Sequence, residues 1–307
     1  MAHKIVFAGT TDFGIPTLEI LNTKYQILAI VTQPDRPAGR KKALSPSPIK
    51  LWAEKNNIPV LQPEELSTIT HQLSTLEPGL LLVAAYGQII PKDILDIPKF
   101  GSINIHGSLL PKYRGASPIQ AAILRGETET GITLIKMDEK MDHGPVIAQA
   151  MMTIDDNDDF ITLYKKLSDL SADLVMETLP KWFTGQMRST EQRHEQATYT
   201  KLFAHSDGRV DWATPAVEVD RKVKALNPEP GVWTTLDKKS VKILKTKALP
   251  DAKIELPGKI YESGNEMLVK CQLGSLQILY LHPEGRKPMT GRDFLNGLKS
   301  RSNAMFI

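Results

Sequence analysis

The first half of the chain alternates short apolar runs with segments of helical periodicity. Residues 27–32 (ILAIVT) and 80–85 (LLLVAA) are continuous apolar runs, which is typical of strands buried on both faces. The other elements predicted here are strands at 4–9, 102–106 and 131–136 and helices at 15–21, 49–56 and 117–125. Strands and helices that alternate at this spacing predict an α/β domain with a Rossmann-like, doubly wound and mostly parallel sheet.

The pattern changes after a long amphipathic helix. Phe160–Phe183 carries leucines at core spacing, and the polar stretch 184–207 that follows indicates a linker. Beyond it, five short strands are predicted at 231–236, 241–248, 258–262, 267–271 and 276–281, with helical segments at 214–225 and 290–299. Short strands separated by Gly, Pro and Asp turns predict a small C-terminal β-barrel with an OB-like fold. We therefore expect one domain over 1–204, including the linker, and a second over 205–307.

Composition and charge limit the cellular location and the partners that the sequence favours. The single cysteine, Cys271, excludes an internal disulfide, and no apolar run approaches the 18 residues of a membrane span. The strand pattern begins at Lys4, so we expect no signal peptide and a cytoplasmic location. Residues 206–307 carry 17 Lys and Arg against 12 Asp and Glu, whereas the rest carries 21 against 23. This basic tail favours an anionic partner, although a mixed solvated surface explains the same count.

Several common sites are missing from the sequence. The run GTTDFG after the first strand is neither G-x-G-x-x-G nor a P-loop, which disfavours a dinucleotide site. There is no G-x-S-x-G motif, although His106-Gly107-Ser108 suggests a serine hydrolase at first sight. The seven histidines show no metal-ligand spacing, and no metal is expected.

The most informative residues follow one buried strand. Asn104 and His106 are two positions apart in SINIH, so they share one face of the strand. A polar pair at the end of a buried strand indicates a functional site, but an Asn and a His that brace a loop would look the same.

A carboxylate provides the context for this pair. Asp142 comes shortly after the predicted strand 131–136, and adjacent parallel strands would bring its loop beside His106. An amide, an imidazole and a carboxylate together suit acyl transfer without a covalent intermediate. Asn104 would donate to the developing oxyanion, His106 would stabilise it or shuttle protons, and Asp142 would tune His106 and help to accept a proton from an attacking amine.

The run from Asn104 to Gly115, N-x-H-x-S-L-L-P-x-Y-R-G, followed by Asp142-x-Gly144, resembles the active-site signature of the 10-formyltetrahydrofolate-dependent formyltransferases. The runs FAGTTDFGIPTL, VTQPDRPAGRKKALSPSPIK, AAYGQIIPK and DGRVDW resemble the branch of that family that formylates methionyl initiator tRNA. The resemblance covers essentially the whole chain, including the OB-like domain.

The resemblance implies roles for individual residues. It implies that Asn104, His106 and Asp142 are catalytic and that 10-formyltetrahydrofolate is the formyl donor. The residues implied for folate binding are Ser108, Leu109, Leu110, Pro111, Tyr86, Gly87 and Ile89. Those implied for tRNA binding are Arg36, Arg40, Lys41 and Lys42, whose charges in a Pro- and Gly-containing loop suit phosphates. The chain departs from the pattern at His143, where many relatives that formylate tRNA carry Thr, and we assign this residue no catalytic role.

Alternatives remain open at this stage. The residues 36–42 could equally form an ordinary solvated loop, and Tyr113 and Arg114 could either contact a ligand or brace the loop.

The same chemistry could also serve a different acceptor, either glycinamide ribonucleotide or an amino sugar nucleotide, although a glycinamide-type enzyme would need no C-terminal barrel. Water in place of the amine would make a formyltetrahydrofolate hydrolase. A non-catalytic RNA-binding protein is disfavoured by the intact set of Asn104, His106 and Asp142. We expect initiator methionyl-tRNA to be the partner. We also expect the protein to be a monomer.

Overall fold

The computed structural model describes residues 3–38, 43–250, 255–298 and 304–307. Within them the strands are β1 (Lys4–Gly9), β2 (Gln26–Val31), β3 (Arg36–Ala38), β4 (Ala43–Ser45), β5 (Val60–Leu61), β6 (Leu80–Ala84), β7 (Ser102–His106), β8 (Arg114–Gly115), β9 (Glu129–Lys136), β10 (Val146–Thr153), β11 (Tyr199–Thr200), β12 (Val232–Leu236), β13 (Lys239–Leu249), β14 (Ile260–Ser263), β15 (Glu266–Lys270), β16 (Ser275–Pro283) and β17 (Met289–Thr290). The α-helices are α1 (Ile15–Lys24), α2 (Pro48–Lys55), α3 (Thr70–Thr75), α4 (Lys92–Leu95), α5 (Pro118–Arg125), α6 (Phe160–Phe183), α7 (Ala216–Leu226) and α8 (Gly291–Asn296).

A seven-stranded sheet in the order β10-β9-β7-β6-β1-β2-β5 forms the first half. The five strands from β5 to β7 are parallel, and every residue of β6 is buried, as expected of a strand covered on both faces. The predicted α/β class with a mostly parallel sheet is confirmed. β2 and β5 lie on one side of β1, and the next strands along the chain, β6 and β7, lie on its other side, so the strand order reverses at β1. Ligands in such sheets bind beyond the carboxyl ends of the strands, near the point of reversal.

Two strands of this sheet run against the others. β9 pairs antiparallel with β7, and β10 pairs antiparallel with β9. We expected the loop of Asp142 to follow a strand parallel to β7, and this expectation is wrong. Because β9 is antiparallel to β7, its last residue lies beside the start of β7, at the other end of that strand from His106. β10 was not predicted. Its burial alternates along the strand, as expected of an edge strand with one solvated face.

A six-stranded antiparallel sheet forms the C-terminal part, which confirms the prediction of a small C-terminal β domain. Its order is β12-β13-β16-β15-β14, with β17 added to β16. Residues 304–307 then bond to both ends of this row. Ile307 exchanges two backbone hydrogen bonds with Thr235 of β12, and Phe306 donates to the carbonyl of Gly258, just before β14. The last residues therefore join the two edge strands, as closure into a barrel requires.

The chain divides into two compact units. The first comprises Met1–Pro118, Thr128–Asp155 and Ile161–Thr200, and the second comprises Ile119–Glu127, Asp156–Phe160 and Lys201–Ile307. The structure differs from the predicted linker over residues 190–200, which pair with Val146 and with β8 inside the first unit. In the part of the chain that the structure describes, no helix combines the length and the apolar character needed to cross a bilayer.

Candidate active site

Asn104 and His106 lie at the carboxyl end of β7, which is hydrogen-bonded to β6 on one side and β9 on the other. His106 is buried and Asn104 is half-buried. Because a strand turns alternate side chains to the same face, both polar groups face one side of the sheet while Ile103 and Ile105 are buried on the other. The strand thus holds an amide and an imidazole side by side.

Asp142 reaches this pair through a loop that doubles back. β9 ends at Lys136, opposite Ile103, and the loop closes where the backbone N–H of Lys136 donates to the carbonyl of Pro145 at 2.9 Å. Asp142 has a positive φ of 48°, in the left-handed region that residues with a Cβ rarely adopt. The loop therefore brings a carboxylate to β7 despite the antiparallel direction of β9.

The carboxylate of Asp142 contacts three groups. Its Oδ1 lies 3.4 Å from His106 Nδ1 and accepts a hydrogen bond from Asn104 Nδ2 at 3.2 Å. Its Oδ2 accepts from the backbone N–H of Gly115 at 2.7 Å. Gly115 has a φ of 105°, and a Cβ there would lie 2.5 Å from the carbonyl oxygen of Thr200, so only glycine fits. The structure therefore brings Asp142 into contact with both of the other predicted catalytic residues, Asn104 and His106.

His106 has an oxygen acceptor beside each ring nitrogen. Its Nε2 donates to the backbone carbonyl of Tyr113 at 2.9 Å, and its Nδ1 faces Asp142. Both ring nitrogens therefore lie beside an oxygen that can accept an N–H. Such a group can move protons at a reaction centre, or donate to an oxygen that gains negative charge.

The side chain of Thr133 holds the turn after β7 by hydrogen bonds to its backbone. Thr133 Oγ1 donates to the carbonyl of Ser108 at 2.6 Å and accepts from the backbone N–H of Leu110 at 3.1 Å. Gln149 Nε2 donates to the carbonyl of Leu110 and to Thr133 Oγ1, both at 2.9 Å. The Ser108 hydroxyl is fully buried and donates to the carbonyl of Lys112, so it holds the turn together from inside. Of the predicted folate residues in this turn, Leu109 and Pro111 keep partly exposed side chains.

The loop after β6 exposes some of the predicted folate residues and buries another. The Tyr86 ring packs in the hydrophobic core with Val83 and Ile90, and burial raises the pKa of its hydroxyl to about 12. Only its backbone carbonyl faces the loop, where it accepts from Thr10 Oγ1 at 2.8 Å. Gly87 is exposed with a φ of 89°, and the side chain of Ile89 is 79% exposed. The loop therefore offers Gly87 and Ile89 to a ligand and keeps the Tyr86 ring inside.

Arg36 is exposed at the start of the β3–β4 hairpin, where it pairs with Ser45. The other predicted tRNA residues, Arg40, Lys41 and Lys42, lie outside the described residues. The base of the hairpin is anchored by Asp35, which binds Lys50 Nζ at 2.7 Å and Gln62 Nε2 at 2.8 Å. The hydrogen bond from Lys50 is the main cause that lowers the pKa of Asp35.

Two buried polar residues near Asp142 were not predicted as site residues. Arg114 is 1% exposed and Gln192 is 6% exposed, and they hydrogen-bond to each other. Arg114 lies inside the quoted motif, whereas Gln192 lies in a polar stretch without periodicity, where only a structure could identify it. Among the described residues, no group of His, Cys, Asp and Glu side chains is arranged to hold a metal ion.

The arrangement of amide, imidazole and carboxylate at the end of a strand in a Rossmann-like sheet is chemically suited to acyl transfer, and comparison with known proteins specifies the class. Residues 3–179 match the family described as formyl transferase, and residues 203–299 match the formyl transferase C-terminal domain. The chain belongs to the formyl transferase family. Among its curated relatives, it is similar to the methionyl-tRNA formyltransferase of Bacillus velezensis, at 41% identity over 306 residues that cover 96% of this chain and 94% of the relative. It is also similar to that of Caldanaerobacter subterraneus, at 40% identity over 298 residues that cover 96% of each chain.

Solved structures show the same fold at lower identity. A sugar 3N-formyl transferase crystallised with dTDP and 5-N-formyl-THF aligns with a TM-score of 0.68 and 20% identity, over 93% of this chain and 99% of that one. An N-formyltransferase from Helicobacter canadensis aligns with a TM-score of 0.69 and 19% identity, over 90% and 98%. The fold of this chain is thus shared with these two formyltransferases.

Proposed function

We propose that the protein transfers the formyl group of 10-formyltetrahydrofolate to the α-amino group of methionyl initiator tRNA. The observation that carries this proposal is the similarity to curated methionyl-tRNA formyltransferases over more than nine-tenths of both chains. The contact among Asn104, His106 and Asp142 supports it, because these groups match what formyl transfer to an amine requires.

Each of these residues has a defined task in the reaction. The amine nitrogen forms a bond to the formyl carbon while the bond from that carbon to N10 breaks, so the amine loses a proton and N10 gains one. Asn104 Nδ2 carries two N–H groups, and one of them bonds to Asp142. The second is suited to the formyl oxygen as it gains negative charge. Asp142 and His106 contact each other, and together they can accept the proton that the amine loses and pass it to N10 of the departing folate.

The loops around this set suit a folate. A pterin needs an apolar face and backbone hydrogen-bonding groups, and the exposed side chain of Ile89 and the open backbone at Gly87 offer both. We assign folate binding to the loop of Tyr86, Gly87 and Ile89 and to the turn of Ser108, Leu109, Leu110 and Pro111. Within these segments Tyr86 and Ser108 act through the backbone, because their side chains are buried.

Positive charges in both parts of the chain suit the tRNA. We assign tRNA contacts to Arg36, Arg40, Lys41 and Lys42, and to a C-terminal domain over 205–307 that follows a catalytic domain over 1–204. On the C-terminal sheet, exposed Lys242, Lys245 and Lys247 lie along β13, and Lys245 pairs across the sheet with half-exposed Tyr280. Lysines next to an exposed aromatic ring suit phosphates and an unstacked base. We further propose that the protein works in the cytoplasm as a monomer.

The direct test is formylation by the purified protein. The protein is incubated with 10-formyltetrahydrofolate and initiator tRNA charged with radiolabelled methionine, and formylmethionine is measured after the ester is hydrolysed. Parallel reactions contain an amino sugar nucleotide, glycinamide ribonucleotide or no amine. Formylmethionine that depends on the protein supports the proposal. Formylation of a small amine alone would contradict the acceptor, and formate release without an amine would indicate a hydrolase.

A further inference from the structure

The segment 190–200 is bound along the loops that carry the active site. Thr190 exchanges two backbone hydrogen bonds of 2.8 Å with Val146, which follows the Asp142 loop. Thr198 accepts from the backbone N–H of Arg114 at 2.8 Å, and its hydroxyl accepts from that of Tyr113 at 2.8 Å. These contacts bring side chains of a distant part of the sequence to the rear of Asp142.

The side chain of Gln192 is the centre of this contact. Its Nε2 donates to the carbonyl of Asp142 at 2.9 Å and to that of Gly144 at 2.7 Å. Its Oε1 accepts from Arg114 Nη2 at 2.7 Å and Nε at 3.3 Å. Two donated and two accepted bonds use the full hydrogen-bonding capacity of an amide.

Arg114 determines which way this amide faces. A guanidinium only donates and a backbone carbonyl only accepts, so the oxygen of Gln192 must face Arg114 and its nitrogen must face the loop. Arg114 is itself held by His194 Nδ1, 2.8 Å from Nη2, and it is buried. The backbone N–H of the next residue, Gly115, donates to Asp142 Oδ2 at 2.7 Å. Asp142 is thus held at its backbone carbonyl by Gln192 and at its carboxylate by Gly115, which follows Arg114 in β8.

We propose that Gln192 is a positioning residue for Asp142, with Arg114 setting the orientation of the Gln192 amide. The backbone of Asp142 is in the left-handed region, and such a conformation persists only where the surroundings hold it. Gln192 holds the carbonyls on both sides of His143, and this places the carboxylate against His106 and Asn104. In this role Gln192 touches no substrate. The tests that measure catalysis rest on the proposed function, whereas a test of the structure alone does not.

Gln192→Glu separates this role from the packing role of the side chain. Glutamate has the same size and can still accept from Arg114, but it has no N–H for the carbonyls of Asp142 and Gly144. We expect kcat for methionyl-tRNA formylation to fall by about 10²-fold, as for a misplaced reacting group, with KM for both substrates unchanged. The matched control is Gln196→Glu on the same segment, where the side chain is exposed and the charge change is identical. Equal kcat for Gln192→Glu and the wild type would overturn the proposal.

A double-mutant cycle tests whether Gln192 acts through Asp142. In an Asp142→Asn background, Gln192→Glu should cost little further activity, because the group that it positions no longer acts. An undiminished loss in that background would show that Gln192 acts by another route. If Gln192→Glu does not fold, Gln192→Asn carries the same tests, because its amide is one methylene too short to span Arg114 and the loop.

Hydrogen exchange supplies a measurement without any assay of activity. The Gly115 N–H is bonded to Asp142, so its exchange rate reports how firmly the carboxylate is held. We expect faster exchange at Gly115 in Gln192→Glu and wild-type exchange in Gln196→Glu. Unchanged protection at Gly115 would overturn the positioning role. If the wild type formylates no methionyl-tRNA, the proposed function fails, while this measurement still decides the role of Gln192.

Discussion

His106 and Asp142 contact each other through Nδ1 and Oδ1, 3.4 Å apart, although the strands that precede them run in opposite directions. The loop after β9 must cross back along β7 to make this contact. It does so with Asp142 in a left-handed conformation and its carboxylate bonded to Gly115 and Asn104. The proposed acid–base pair therefore depends on a loop conformation as much as on the sheet.

Asp142→Asn should remove most of the activity without unfolding the protein. Asparagine keeps the shape of the side chain but cannot accept the proton from the amine. We expect kcat to fall by about 10²–10⁴-fold, measured by single-turnover formylation. Asp138→Asn is the control in the same loop, since the Asp138 carboxylate binds His143 at 2.6 Å rather than His106. Comparable losses in the two variants would assign the effect to loop stability and would give His143 a role.

Asn104→Ala should slow the chemical step through loss of a donor to the formyl oxygen. Removal of one such donor costs about 10²–10³-fold in kcat. The binding of the folate donor, measured by fluorescence titration, should be nearly unchanged, because this interaction strengthens only as charge develops. Asn22→Ala, on the exposed face of α1, is the control. A loss of folate affinity with unchanged kcat would place Asn104 in binding instead of catalysis.

The sequence predicted the elements whose apolar pattern is periodic. The predicted helix Phe160–Phe183 has the same bounds in the structure, because its buried side chains repeat at helical spacing over many turns. The direction of β9 was not predictable in this way, since an apolar run reads the same in a parallel or an antiparallel strand. The family resemblance assigned Tyr86 to folate binding without saying which part of the residue acts, and only the structure shows that its ring packs in the core. Gln192 was missed because hydrogen bonds leave no periodic pattern, and a polar stretch held by them resembles a linker.

Arg36→Ala should weaken the binding of tRNA and leave the folate site intact. A cation that neutralises one phosphate contributes about one unit to the slope of the logarithm of affinity against the logarithm of salt concentration. We therefore expect weaker binding at low salt and a slope reduced by about 1, measured by filter binding at several salt concentrations. Lys24→Ala, exposed at the end of α1, should leave the slope unchanged. An identical slope for Arg36→Ala would exclude a phosphate contact at this residue.

Tyr280→Ala should weaken the binding of tRNA by a different route. Loss of a base that stacks on an aromatic ring costs about 1–3 kcal/mol, and this energy depends less on salt than a phosphate contact does. The salt slope should therefore be nearly unchanged while the affinity falls. Tyr280→Phe keeps the ring and should bind as the wild type does. Weak binding by Tyr280→Phe would instead point to a hydrogen bond from the hydroxyl.

Cys271 should be inert to thiol reagents in the folded protein. The side chain is 1% exposed, and burial raises the pKa of the thiol to about 12 from an ordinary 9.0. Alkylation needs the thiolate, so iodoacetamide at pH 8 should label the protein only after denaturation, as measured by mass spectrometry. The same shift lowers the stability of the fold as the pH rises above 9, because only the unfolded chain then loses the proton. Rapid labelling of the native protein would contradict the burial of Cys271.

Residues 304–307 also affect how the folded C-terminal domain can associate with copies of itself. They cover the backbone of β12 at Thr235 and that of the segment ahead of β14 at Gly258. A strand with an uncovered backbone is a template on which a second chain can add. A shortened chain without these residues would present two such templates on one domain, and copies could join in rows. We therefore expect residues 304–307 to limit aggregation of the C-terminal domain as well as to join its two edge strands.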